Sequence, residues 1–150
     1  MKTKGLLNKN CIVLDMHPTS KENAIQVLVD RLADEYKLDN REAILATVLN
    51  REKLASTGIE EGIALPHAKS NYVPEFHIAV GIVKDGVDFH SIDNKPAKII
   101  ILMLTPLKSE TMHVMFLASI SSLLSKAEVR EKLLNATSVD TVLEELSLIC

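Results

Sequence analysis

The feature that most constrains the fold of this chain is the unbroken run Ile99-Ile100-Ile101-Leu102-Met103-Leu104. Successive side chains of a strand point to opposite faces of its sheet. An uninterrupted apolar strand therefore buries both faces and needs a covering layer on each side. The run is far too short to span a bilayer, which takes about 20 residues. We read Ala97 to Leu104 as a central strand that ends at Thr105-Pro106.

The flanking sequence supplies the covering layers. Thr19 and Glu22 have capping-box spacing, and Ile25, Leu28, Val29 and Leu32 follow at helical spacing, so a helix is expected from about Ser20 to Tyr36. Asn40 is placed to cap a second helix, with Ile44 and Val48 inward, ending near Leu54. Ser109 is placed to cap a long third helix with a stripe of Met112, Phe116, Ile120 and Leu123, flanked by Met115 and Leu124. Shorter helices are expected at about Ala127 to Leu134 and, capped by Ser138, Val139 to Leu148. Three more strands are read: Cys11 to Leu14 at a sheet edge, Ile63 to Leu65, and Phe76 to Val83 closed by an Asp85-Gly86 turn. The expected architecture is α/β, a mixed β-sheet flanked by α-helices on both faces. It forms one domain over residues 1–150, with residues 1–10 a loose lead-in.

The sequence also excludes functions. A net charge of −3, with acids spread along the chain, argues against a nucleic-acid partner. Cys11 and Cys150 lie near opposite ends and have no zinc-type spacing with any histidine, which fits two free thiols in a reducing cytoplasm. The start lacks the apolar core of a signal peptide. The chain is thus expected to be cytoplasmic and not membrane-embedded.

Three residues stand out as candidates for chemistry. His67 follows Pro66, which stiffens the backbone, and is expected to project from a loop at a strand end. His113 falls in the first turns of the Ser109 helix, where the helix dipole attracts phosphate and disfavours a charged imidazole. Arg51, near the end of the second helix, can offer paired donors to phosphate oxygens. Each also has an ordinary reading: a surface loop histidine, a part-exposed helix histidine, and a helix-terminal cation or ion pair with Glu52. His17, His77 and His90 are read as structural or surface residues. A zinc site from His67, His77 and His113 lacks supporting spacing.

The segments Asn50 to Ile59 and Gly62-Ile63-Ala64-Leu65-Pro66-His67-Ala68-Lys69 closely resemble the signature of the EIIA domains of the phosphotransferase system, of the fructose/mannitol/nitrogen-regulatory type. Ile92-Asp93-Asn94-Lys95-Pro96 and the placement of His113 resemble that family too, so the likeness runs from about residue 12 to 148. Ala68 departs from it, standing where glycine is frequent; alanine is strained there only if the backbone needs positive φ.

The resemblance implies that His67 accepts a phosphoryl group from the phosphocarrier HPr or its nitrogen-type paralogue. His113 and Arg51 then flank the phosphate, and Thr57 is a candidate for one more hydrogen bond to it. The second nitrogen of His67 needs an acceptor, most simply a backbone carbonyl that the sequence does not identify. From the resemblance, Nε2 is the phosphorylated nitrogen. No cofactor and no metal is expected. The implied role is a phosphoryl carrier rather than a stand-alone small-molecule enzyme. The 92–96 run and the free-standing chain point to a nitrogen-regulatory EIIA acting on a regulatory target protein. The alternative is a sugar-transport EIIA that passes phosphate to an EIIB domain; a degenerate protein-binding module is a third reading. Leu65–Pro66 and Val73–Pro74 are candidates for the rim of a partner-docking patch, and Lys69 for a contact with phosphate or with a partner's acid.

Overall fold

The computed structural model describes residues 6–147. In chain order the elements are β1 (Leu7–Val13), α1 (Lys21–Tyr36), α2 (Arg41–Leu54), a 3-10 turn (Glu60–Gly62), β2 (Ile63–Ala64), β3 (His67–Lys69), β4 (His77–Val87), β5 (Ala97–Thr105), α3 (Glu110–Leu124), α4 (Ala127–Leu134) and α5 (Val139–Leu146). The strands form one mixed sheet in the order β1-β4-β5-β2, with β3 also paired to β5. β5 runs antiparallel to β4 and parallel to β2 and β3.

The apolar run behaves as its composition dictates. Ile99, Ile101 and Met103 face one core, with Phe116, Ile120 and Leu124 of α3 and residues of α4 and α5. Ile100, Leu102 and Leu104 face the other, with Ala24, Ile25, Leu28 and Leu32 of α1 and Ile44 and Val48 of α2. The expected fold, a mixed sheet with helices on both faces, is what the chain adopts. No helix among the described residues is long and apolar enough to cross a membrane.

Several local expectations need correction. β1 begins at Leu7, so residues 7–10 are strand rather than loose lead-in, and β1 pairs in parallel with β4 at the sheet edge. The cap of α1 sits one residue later than expected. Ser20 Oγ accepts from Asn23 N at 3.0 Å, and Asn23 Oδ1 accepts from Thr19 N at 3.1 Å, so asparagine replaces Glu22 in the reciprocal pair. Asn40 and Ser109 precede their helices without side-chain caps: Asn40 is left-handed, and Ser109 Oγ donates to Pro106 O at 2.7 Å.

Asp85-Gly86 does not end its strand. β4 continues to Val87 through a bulge between Ile82 and Val87, where Gly86 takes φ +79°. Met115, expected beside the core stripe, is 44% exposed. The Ser138 cap is present, accepting from Thr141 N at 3.4 Å. The expected end of the last helix at Leu148, and Cys150, lie outside the described residues, as do residues 1–5.

Phe116 is fully buried and meets Phe76 edge-to-face at 5.1 Å between ring centroids. Phe116→Ala should destabilise the fold by about 3–5 kcal/mol, measured as a shift of the urea midpoint at unchanged slope.

Candidate functional site

The sheet edge explains where His67 points. Carbonyls of successive strand residues face opposite sides along the hydrogen-bonding direction. Pro66 O faces β5 and accepts from Met103 N at 3.0 Å. Leu65 therefore turns its groups away from β5, toward the segment 57–59 that bridges this edge, and its N–H donates to Thr57 O at 3.0 Å. Its carbonyl accepts from His67 Nδ1 at 2.9 Å. Because a carbonyl can only accept, Nδ1 carries the proton. A neutral His67 thus keeps its lone pair on Nε2. The acceptor that the sequence left unidentified is Leu65 O. His67 opens the short strand β3 rather than standing in a loop, and its pairing with Met103 fixes the backbone beneath it. Ala68 lies in that strand and is not among the positive-φ residues, so its departure from glycine carries no strain.

His113 reaches the same place from the other side of the sheet edge. It is one turn into α3, its N–H bonded to Ser109 O at 2.9 Å. It is buried, at 7% exposure, rather than part-exposed. The His67 and His113 rings meet edge-to-face with centroids 5.0 Å apart. Its Nδ1 lies 3.0 Å from Thr105 Oγ1, at the end of β5.

Arg51 completes the wall. Thr47, Arg51, His67, Ala68, Lys69 and His113 line one open cavity of about 360 Å³. Wider depressions of about 540 and 630 Å³ lie elsewhere, but no histidine lines them, so side-chain chemistry rather than size marks the site. Arg51 donates one N–H to Ala55 O at 2.9 Å, and no carboxylate among the described residues is within ion-pair reach of it. The alternative of an Arg51–Glu52 pair does not hold. Glu52 is buried and turned away, accepting from Thr57 N at 2.9 Å, from the Thr57 hydroxyl, and from Lys21 Nζ at 3.4 Å.

Thr57 is accordingly bound to Glu52 beneath the site and does not line the cavity. Lys69 lines it and lies 3.8 Å from Glu110. His77 stands apart, stacked on Tyr36 at 3.9 Å. Among the described residues no group of three His, Cys, Asp or Glu side chains is placed to hold a metal ion.

Sequence reasoning gave no role to Thr47 or Thr105. Thr47 lies four residues before Arg51 on α2, a spacing that puts both on one helix face and could have found it. Thr105 has no such signal, because only the fold brings the end of β5 to α3. Of the residues read as candidates for a docking rim, Leu65, Pro66 and Val73 are buried and Pro74 is exposed; Tyr72, Leu107, Val114 and Met115 are exposed apolar residues on the β3–β4 and β5–α3 connections and on α3 itself.

The electrostatics keep both imidazoles neutral. Burial lowers the pKa of His67 most; Arg51 and Lys69 push the same way, against the Leu65 carbonyl and Glu52. Burial, then His67, Lys69 and Arg51, lower that of His113 to about 4. His67 therefore keeps an unprotonated Nε2 at neutral pH, and the cavity gathers donors and positive charge with no acid in its wall. That combination suits an anionic group delivered to Nε2.

The family model described as "Phosphoenolpyruvate-dependent sugar phosphotransferase system, EIIA 2" matches residues 5–148. The chain is 40% identical to the fructose-specific EIIABC component of Bacillus subtilis over 96% of this chain, but spans only 23% of that protein. It is 39% identical to the fructose-specific EIIA component of Haloferax volcanii, covering 91% of this chain and 88% of that protein. The crystal structure of the nitrogen regulatory protein IIA-Ntr from Neisseria meningitidis superposes with a TM-score of 0.88 at 29% identity, over 94% of this chain and 96% of that one.

Two outcomes are expected from this geometry. Depressed histidine pKa values mean that the unfolded chain binds more protons below about pH 6.5, the ordinary histidine value. The histidines' contribution to stability is therefore whole above pH 6.5 and is lost as pH falls through about 4, where His113 charges. Denaturation at a series of pH values, with an NMR titration of His113, checks this. Thr57→Val should lower stability by about 1.5–3 kcal/mol, the range for a hydrogen bond to a charged group, while leaving His67 Nδ1 bonded to Leu65 O. Denaturation and imidazole NMR of the variant read both.

Proposed function

The chain belongs to the EIIA 2 family of the phosphoenolpyruvate-dependent sugar phosphotransferase system, and from that premise we propose that it is a phosphohistidine carrier that takes its phosphoryl group on His67 Nε2. The observation that carries this reading is the bond from His67 Nδ1 to Leu65 O, which leaves Nε2 as the available nucleophile. The donor is an HPr-type phosphocarrier, itself phosphorylated on a histidine. The Nε2 lone pair attacks phosphorus in line. The donor's P–N bond breaks, and its electron pair returns to the donor imidazole. Because Nδ1 keeps its proton, the His67 ring becomes cationic as the N–P bond forms. The hydrogen bond to Leu65 O then becomes charge-assisted and strengthens. Arg51 and His113 stabilise the phosphoryl oxygens during transfer.

The downstream partner separates two readings. The 92–96 segment points to a nitrogen-regulatory role, in which phosphorylation changes binding to a target protein by charge. The identities lean the other way, at 40% and 39% to fructose-specific components against 29% to IIA-Ntr. We favour the transport reading, in which phosphate passes to a cysteine of a fructose-type EIIB domain. The exposed apolar residues Tyr72, Leu107, Val114 and Met115 suit a small, transient docking face for either partner.

Incubation with phosphoenolpyruvate, Enzyme I and HPr should add one acid-labile phosphoryl group by intact mass, and His67→Gln should take none. Arg51→Gln should slow acceptance by about 10²–10³-fold, the loss typical of removing one preorganised donor. Passage of the group onward to an EIIB fructose domain supports transport. A stable phospho-form in its presence returns the reading to regulation.

A further inference from the structure

Thr105 joins the two halves of the site. Its backbone pairs with Lys69 of β3, and its carbonyl accepts from Ser70 N at 3.0 Å, which anchors the strand that begins with His67. Its side chain is fully buried, and its hydroxyl lies 3.0 Å from His113 Nδ1. No other partner for this hydroxyl exists among the described residues.

A hydroxyl and an imidazole nitrogen can share this bond in two ways. If Nδ1–H donates, the hydroxyl hydrogen of Thr105 is left without an acceptor inside the protein, and His113 presents a lone pair on Nε2 to the cavity. If the hydroxyl donates, it is satisfied, Nδ1 is satisfied as an acceptor, and the proton sits on Nε2. The second arrangement leaves no buried polar group unpaired, and an unpaired buried donor is the costlier state. His113 lines the same open cavity as Arg51 and His67, so an Nε2–H there finds water in the resting protein. In the charged carrier it meets an oxygen of the phosphoryl group.

We propose that Thr105 is a positioning residue that fixes the tautomer of His113: its hydroxyl donates to His113 Nδ1 and so holds the proton on Nε2, where it serves as a neutral hydrogen-bond donor to the phosphoryl group on His67. The two histidines thereby take opposite tautomers. A carbonyl on the sheet edge holds the proton of His67 on Nδ1, leaving a nucleophile. A hydroxyl at the end of β5 holds that of His113 on Nε2, leaving a donor. A carbonyl cannot play the second role and a freely rotating hydroxyl could not enforce the first, so the two orienting groups are not interchangeable. The catalytic half of this inference rests on the phosphocarrier reading of His67; the tautomer itself does not.

The test uses the full chain, ¹⁵N-labelled at histidine, at pH 7. Long-range ¹H–¹⁵N correlation should show His113 with a bare Nδ1 and a protonated Nε2, and His67 with the reverse. Thr105→Val keeps the shape and removes the donor; in it the His113 pattern should become mixed or inverted. Thr105→Ser should restore it. The same spectra report whether each variant is folded. In the phosphorylation assay, Thr105→Val should accept phosphate at least about tenfold more slowly, part of the loss seen when a donor is removed outright, with serine largely restoring the rate. A wild-type His113 protonated on Nδ1, or a valine variant with an unchanged pattern, overturns the proposal. If no carrier phosphorylates the wild type, the reading of His67 fails, and the spectra still decide the tautomer.

Discussion

The hydrogen bond between His67 Nδ1 and the Leu65 carbonyl is the constraint on which the site depends. It exists because β2 and β3 lie on the outer edge of the sheet. Inside a sheet the outward carbonyl of Leu65 would be consumed by the next strand. Here the segment 57–59 takes up the neighbouring edge groups and leaves the Leu65 carbonyl to a side chain, and such edge groups usually have to be covered or blunted. Here one of them orients an imidazole. Pro66 contributes by having no N–H to offer and by holding φ near its fixed value, so the chain passes from β2 to β3 without losing register with β5. The stiff β5, buried at every residue but Lys98, then sets where His67 stands.

The same strand delivers the second histidine. β5 ends at Thr105, and the turn through Pro106 to Ser109 brings α3 back so that His113 lies against the strand end. α2 contributes Arg51 from the opposite layer. The three candidate side chains therefore come from both helical layers and the sheet between them, meeting at one end of β5. Burial of the imidazoles and the nearby cations keep them unprotonated. The acid next in sequence to Arg51, Glu52, is withdrawn beneath the surface and compensated by Lys21 and Thr57. Had Glu52 paired with Arg51, the cation would be neutralised before any anion arrived.

Much of this was legible in the sequence, for identifiable reasons. The apolar run of β5 and the helical spacing of α1 and α3 depend on periodicity, which needs no knowledge of neighbours. His67, Arg51 and His113 were legible through their surrounding segments. What was not legible depended on pairing across the chain. Residues 7–10 look polar and loose, yet they join the sheet because β4 offers an edge and α1 covers it: Asn8 and Asn10 bond the Glu35 carboxylate at 2.9 Å. Asp85-Gly86 has the residues of a turn, but the strand opposite is long enough to carry it as a bulge. Thr57, near the signature, was a candidate for a hydrogen bond to phosphate; in the fold its hydroxyl bonds the buried carboxylate of Glu52, which no sequence signal announced.

A carrier differs from a hydrolase in what its site must avoid. The group has to leave as readily as it arrives, so tight holding of the phosphorylated ground state would slow the second transfer as much as it favoured the first. The cavity is consistent with that requirement. Arg51 is partly exposed and gives one donor to Ala55 O, so its charge is partly screened by water. Lys69 lies within 3.8 Å of Glu110, which tempers the second cation. His113 is kept neutral by burial, so in the proposed carrier it would contribute a hydrogen bond rather than a full charge. Donors of this kind matter most when charge on the oxygens is being redistributed and least when it is settled. The buried, fixed groups in this site, Leu65 O and Thr105, act on the histidine rings, while those that would meet a phosphoryl group in the proposed carrier are partly exposed or uncharged. This arrangement favours transfer in either direction over retention.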